Sequence, residues 1–474
     1  NTILGSEAGK NITTAYYLTL IGDQAGATIT TGPTTGASGM VAVGHRAGYR
    51  NTNGAGNLAI GFDALYGNST GDRNIAIGYE AMHDTDAGNN SENSEDNIFI
   101  GYTAGGGDWA DVESNKNIAI GTNALDANLN GALNNVGIGY EAFTDLTSAD
   151  ENTAVGSESG AGISTGSYNS LLGYRAGKGI TTGYGNCVIG REALQGDGSD
   201  GCTENVIVGY TAGKNASWAG DKCVIIGANA SQGALTSAAD GLVAIGYQAG
   251  KAVTSGANNT IIGYYAADAL TTGGSNTVLG YEALTAADGT ESENVAIGKL
   301  AMGNVNHDGA DSNTAVGFNS LRGGTGELDL CVAIGAYSLD STGSNDHIGS
   351  TAVGGYSLAE LTSGVENPAI GYQAMLSKTT GARSVAIGYQ AEQYNETNGD
   401  SVFVGYQAGR GVSGNTHYHN TGVGSQALFA ITTGAYNTVL GSDAGRAVTT
   451  GDNNVLIGRT AGDDLTGGHS NVVI

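Results

Sequence analysis

One short motif recurs 26 times from end to end of this 474-residue chain, and it limits the fold more than any other feature. The motif reads Asn–apolar–small–Ile/Val/Leu–Gly–x–x–Ala/Ser, as at Asn74–Ala81, Asn276–Ala283 and Asn437–Ala444. A short repeated period builds a stack of like units, each buried against its neighbours, in place of one globular core. Counted between anchor glycines, thirteen of the 25 intervals are 17 residues. The others are 18 to 20, apart from 22 between Gly22 and Gly44 and 23 between Gly78 and Gly101.

The residue before the glycine is Ile, Val or Leu in every copy, and the residue three after it is Ala or Ser. Asn stands four before it in 18 copies. A glycine so regularly placed (Gly78, Gly101, Gly139, Gly173, Gly246, Gly280, Gly371 and Gly441 among them) needs positive φ or has no room for a Cβ. The apolar run before it is too short for a helix and suits a strand. Ten residues after many anchors comes a second glycine, often behind Thr-Thr or Ser-Thr, a turn signal. An apolar residue precedes that turn at Ile163, Ile180, Val253, Leu270, Leu361, Ile431 and Val448. Each unit therefore reads as strand, glycine turn, short strand, glycine turn.

Such a coil cannot bury its apolar residues alone, so the expected fold is all-β: a parallel β-solenoid of about 26 coils of 17–23 residues, one continuous repeat over 1–474. At ~4.8 Å per coil it would form a rod on the order of 125 Å long. The Asn column (Asn74, Asn276, Asn437 and the rest) either stacks as an amide ladder or closes each unit's own turn.

Net charge is −27 and the pI about 4.3. That balance disfavours nucleic acid and anionic lipid as partners. No apolar stretch approaches the ~20 residues of a membrane helix. The chain opens and closes inside copies of the motif, which leads us to expect an excerpt of a longer protein.

Candidate chemistry is sparse. Cys187, Cys202, Cys223 and Cys331 have no CxxC spacing; they read as small buried residues, with a Cys187–Cys202 or Cys202–Cys223 bridge left open. Tyrosines just after the anchor, such as Tyr79, Tyr102 and Tyr140, form a column that either packs between coils or chains or stacks on sugar rings. Trp109 and Trp218 lie on long loops and are candidate surface contacts, or fold back over the solenoid edge. The acidic loop Asn89–Asp96 and the pair His417 and His419 are weak metal candidates. No spacing suggests a catalytic triad, and the GxGxxA matches at Gly137–Ala142 and Gly422–Ala427 are by-products of the repeat. We therefore expect no enzyme activity, no cofactor and no bound metal.

NTAVG at Asn313–Gly317, NVAIG at Asn294–Gly298 and SVAIG at Ser384–Gly388 resemble the repeats in the head domains of trimeric autotransporter adhesins. The longer form at Asn259–Leu284 is similar to repeats of bacteriophage tail fibres. The resemblance covers the whole chain. It implies a left-handed β-roll, three chains packed about one axis, and a virion or extracellular, cell-surface location. The function it implies is the shaft of a phage tail or head fibre, or of a related surface filament, holding a receptor-binding tip. The alternative is a bacterial adhesin binding matrix or glycan along its side. In either case the partner is a second and third copy of the chain, with receptor contacts outside this segment.

Overall fold

The computed structural model describes residues 1–30, 38–85, 93–110, 112–196, 201–215, 218–397 and 399–474. The protein is an all-β parallel β-solenoid of about 26 turns with almost no helix; among the described residues a 3-10 turn stands at Ser237–Ala239. The chain divides into two compact units, Asn1–Gly241 and Leu242–Ile474.

In the first unit, three-residue strands run from Thr2–Leu4 to Val224–Ile226. Within the unit each pairs in parallel with the same motif positions of its neighbouring coil, as Ser170, Leu171 and Leu172 do with Cys187, Val188 and Ile189. In the second unit the strands run from Val243–Ile245 to Val472–Val473 in the same register, with Val385 opposite Val402 and Ile387 opposite Val404. This unit adds a small corner pairing between Leu328–Asp329 and His347–Ile348.

Strand alternation decides what is inside. From Thr19–Ile21 onward the middle residue of each three-residue strand is buried and its two neighbours point outward. The anchor glycine then turns the chain. Gly173 has φ +138°, and a Cβ there would lie 2.5 Å from the carbonyl oxygen of Gly190 in the next coil. Both reasons for glycine, positive φ and close backbone approach, hold at once.

Two further corner positions are left-handed without being glycine, two and four residues after the anchor, as at Asp63 and Leu65 or Gln373 and Met375. The second of these points into the core and is matched to the strand. Beside Ala59, Ala76 and Ala119 it is Leu65, Met82 and Leu125, all buried. Beside Leu20, Phe99 and Phe403 it is Gly26, Gly105 and Gly409. A Cβ on Gly105 would press on the Phe99 ring. In these coils large meets small, which keeps the interior near crystal-like density.

The buried Asn column is a ladder between coils. Oδ1 of Asn135 accepts from the backbone N–H of Asn152 at 3.0 Å and from its Nδ2 at 3.1 Å, while Asn152 Nδ2 also donates to the Gly166 carbonyl at 2.9 Å. Asn74, Asn276 and Asn437 repeat the pattern on Asn57, Asn259 and Asn420. Bonds inside one turn are secondary, as from Asn169 Nδ2 to the Ser167 carbonyl. Thr hydroxyls at the opposite corner bond the next coil as well; Thr254 Oγ1 donates to the Thr271 carbonyl at 3.1 Å.

Candidate functional surface and a polar core

Because strand ends point outward, each unit carries an apolar stripe. Leu172, Leu279 and Leu440 are 52%, 46% and 50% exposed although they are strand residues. The tyrosines beyond the anchor flank this stripe, also about half exposed. Their rings stack in register: Tyr79 on Tyr102 at 5.2 Å in the first unit, and Tyr372, Tyr389 and Tyr406 at 5.6 and 5.4 Å in the second. With planes within about 20° of parallel, the faces cover one another, and edges and hydroxyls meet water. The Tyr79 hydroxyl is held by the Glu80 carboxylate, which raises its pKa; Tyr140 with Glu141 and Tyr281 with Glu282 do the same.

The two tryptophans are not surface contacts. Trp109 and Trp218 are fully buried, and their indole N–H groups donate to the carbonyls of Gly105 and Gly220, each at 3.1 Å. Trp109 lies edge-on to Phe99, at 5.7 Å. The loops fold back because a coil that keeps Gly at the inner corner leaves space for a large ring: a Cβ on Gly213 would touch Trp218.

No disulfide joins the four cysteines, and Cys202, Cys223 and Cys331 are buried. Burial pushes the Cys202 thiol up to about 12 and the Cys331 thiol up to about 11. Cys223 and Cys331 continue the Asn ladder by donating a backbone N–H to Asn205 and Asn313. The histidine pair is split: His417 is buried and His419 is exposed, because His419 has φ +51° and breaks the alternation that would put both on one side. Among the described residues no three His, Cys, Asp or Glu side chains group to hold a metal. Residues 89–92 of the acidic loop lie outside the described residues.

No protein-family model matches the chain, and no curated protein matches it. No helix among the described residues is long and apolar enough to cross a membrane.

Elsewhere on the first unit, an open recess is lined by Glu141, Asp145, Glu158 and Lys178. Arg175 and Lys178 clamp Glu158 and hold its carboxyl below the usual range. Nearby Asp126 is pushed up to about 6 by burial, with Glu141 and Asp145 adding repulsion.

A feature that repeat reading passed over lies inside the second unit. Lys378 and Asn395 occupy the inward column that carries Leu361 and Ile431 in neighbouring coils, and both are completely buried. Glu392 takes the inner corner beside Ala386, where Met375 stands beside Ala369 one coil earlier, and Ser384 takes the Asn slot. Lys378 Nζ lies 3.1 Å from Ser384 Oγ and 3.3 Å from Glu392 Oε1. Asn395 Nδ2 donates to that same Oε1 at 2.6 Å and to the His417 carbonyl at 3.2 Å. Burial raises the Glu392 pKa against the pull of Lys378, and lowers that of His417 to about 3. The signal in the sequence was a column-by-column departure: Lys, Glu and Asn where every other constraint asks for Leu, Met or Ile.

Proposed function

We propose that this chain is the shaft segment of a self-associating extracellular or virion fibre, three copies of a left-handed β-roll packed about one axis, with receptor contact made beyond the segment. The observation that carries the reading is the stripe of outward Leu, Ile and Val flanked by stacked Tyr on each unit. Contiguous apolar surface of this kind marks an interface. A closed symmetric assembly would cover it with the same stripe from other copies. The reading invokes no catalysis and no cofactor; its mechanism is stiffness from in-register ladders. Acidic exterior charge would keep such fibres apart in solution.

Lateral glycan binding is the second reading, and the half-exposed tyrosines are what favour it. Their stacking argues the other way, since sugars stack on ring faces and these faces are occupied by neighbouring rings.

Light-scattering mass combined with electron microscopy tests the proposal. A three-chain rod is the expected result. Leu172→Glu with Leu279→Glu, both on outward strand positions, should release single chains with unchanged circular dichroism. A wild-type monomer at micromolar concentration would sink it.

A further inference from the structure

A lysine ammonium and a glutamate with no access to water are expensive to bury, and a Leu or Ile would fit both slots. Their presence together with an asparagine calls for a reason. We propose that Lys378 and Asn395 form an autocatalytic isopeptide cross-link between adjacent coils, with Glu392 as the proton-transfer group.

The geometry supplies each requirement. Glu392 Oε1 is within hydrogen-bonding distance of both Lys378 Nζ, at 3.3 Å, and Asn395 Nδ2, at 2.6 Å. The nucleophile and the amide it would attack are therefore gathered at one carboxyl oxygen. Holding reactants in this way replaces a bimolecular encounter with an intramolecular one. The site is closed to solvent, which favours transfer of the ammonium proton to the carboxylate and gives a neutral amine beside a neutral acid. A neutral amine is the reactive form of lysine. Ser384 Oγ, 3.1 Å from Nζ, holds the amine in place.

The step balances without any co-reactant. The Nζ lone pair attacks Asn395 Cγ, and the Nζ–Cγ bond forms. The Cγ–Nδ2 bond breaks. The proton that Nζ gives up is carried by Glu392 to Nδ2, which departs as ammonia. Glu392 ends as the neutral acid, keeping the proton first received from the ammonium, and a secondary amide joins the two side chains. The product removes the buried charge. It also staples two coils whose equivalent positions are 17 residues apart, a covalent rung beside the hydrogen-bonded ones.

Intact mass of the purified, denatured full chain reads the outcome, followed by peptide mapping. We expect the chain to be lighter than its encoded mass by one ammonia, with a branched peptide joining Lys378 to Asn395. Glu392→Gln, which keeps the shape and removes the acid, should run at its own encoded mass, as should Lys378→Met. Three results would overturn the proposal: wild-type protein at its encoded mass, ammonia lost without the Lys378–Asn395 branch, or water lost in a bond from Lys378 to Glu392. The wild-type measurement needs no variant to fold.

Discussion

The coils anchored at Gly156 and Gly173 in the first unit and those anchored at Gly371 and Gly388 in the second have the same length and strand register but opposite interiors. The former place Ile163 and Ile180 in the inward column and carry Asn152, Asn169 and Asn186 in an unbroken ladder. The latter place Lys378 and Asn395 in that column and put Ser384 in the asparagine slot, where its backbone N–H still donates to Asn367 Oδ1 at 3.1 Å but no side-chain amide carries the ladder on. The backbone does not register the difference. Coil geometry here is set by the glycine corners and the backbone hydrogen bonds between coils, while the core residues need only fill the space and satisfy their polar atoms. A solenoid can therefore host reactive groups at an interior position without changing its outline.

The largest effect should come from removing one partner of the polar interior. Glu392→Leu leaves Lys378 buried without its carboxylate, at a cost of about 3–5 kcal/mol. Hydrogen exchange in the coils around 371–424 should rise sharply. The triple variant K378I/E392L/N395I, which gives these coils the interior of the first unit, should recover protection. If the triple variant is as labile as the single, the two interiors are not interchangeable and the comparison fails.

Next comes the corner. Gly173→Val and Gly280→Val place a β-branched side chain at φ +138° and φ +154°, against the carbonyls of Gly190 and Gly298. Each should cost on the order of 3 kcal/mol from backbone strain alone. The loss should be alike in both units, because the corner is common to them; a lower melting temperature for only one of the two would show that the corners differ.

The ladder sharpens the contrast. Asn152→Ala deletes a buried acceptor and donor and leaves the N–H of Asn169 without its bond, at about 2 kcal/mol. Asn152→Ser, which copies the Ser384 slot, should cost less. Equal denaturation midpoints for the two variants would mean that the hydroxyl replaces nothing.

Smallest is the pH effect of two carboxylates of the first unit, Asp126 and Glu158. The folded pKa of Asp126 is raised to about 6, so its contribution is fully present below the ordinary value of 3.8 and is lost as pH rises through about 6. Glu158 has the opposite sign: its lowered pKa gives stability above the ordinary 4.5 that is lost on acidification. Asp126→Asn should flatten the thermal midpoint between pH 4 and pH 7 in steps of a degree or so, on the order expected for a fraction of a kcal/mol. A midpoint that still falls over that range would place the titrating group elsewhere.

The sequence by itself determined the coil. Gly173 and its counterparts, the Ile or Val before them and the Asn column repeat along one dimension, and each constraint acts between a residue and its copy one coil away. Such contacts can be read by aligning the chain with itself. The same alignment left two readings of the asparagines, because a ladder and a turn use the same amide. Only the structure decided between them, by placing Asn135 Oδ1 against the N–H and Nδ2 of Asn152.

What the tertiary structure alone decided depends on space inside a coil, where residues from different motif positions meet. Trp109 and Trp218, on loops that could present surface contacts or fold back over the edge, turn inward because Gly105 and Gly213 leave room. Leu65 fits beside Ala59, and Gly105 beside Phe99, by joint volume, which no single column reveals. Lys378 and Asn395 share one motif position in successive coils and Glu392 stands at another, and only the closed cross-section of the coil brings their polar atoms to one carboxyl oxygen. The period is a property of the backbone and is written in the chain; the meeting of side chains across the interior is a property of packing, and exists only once the coil has closed.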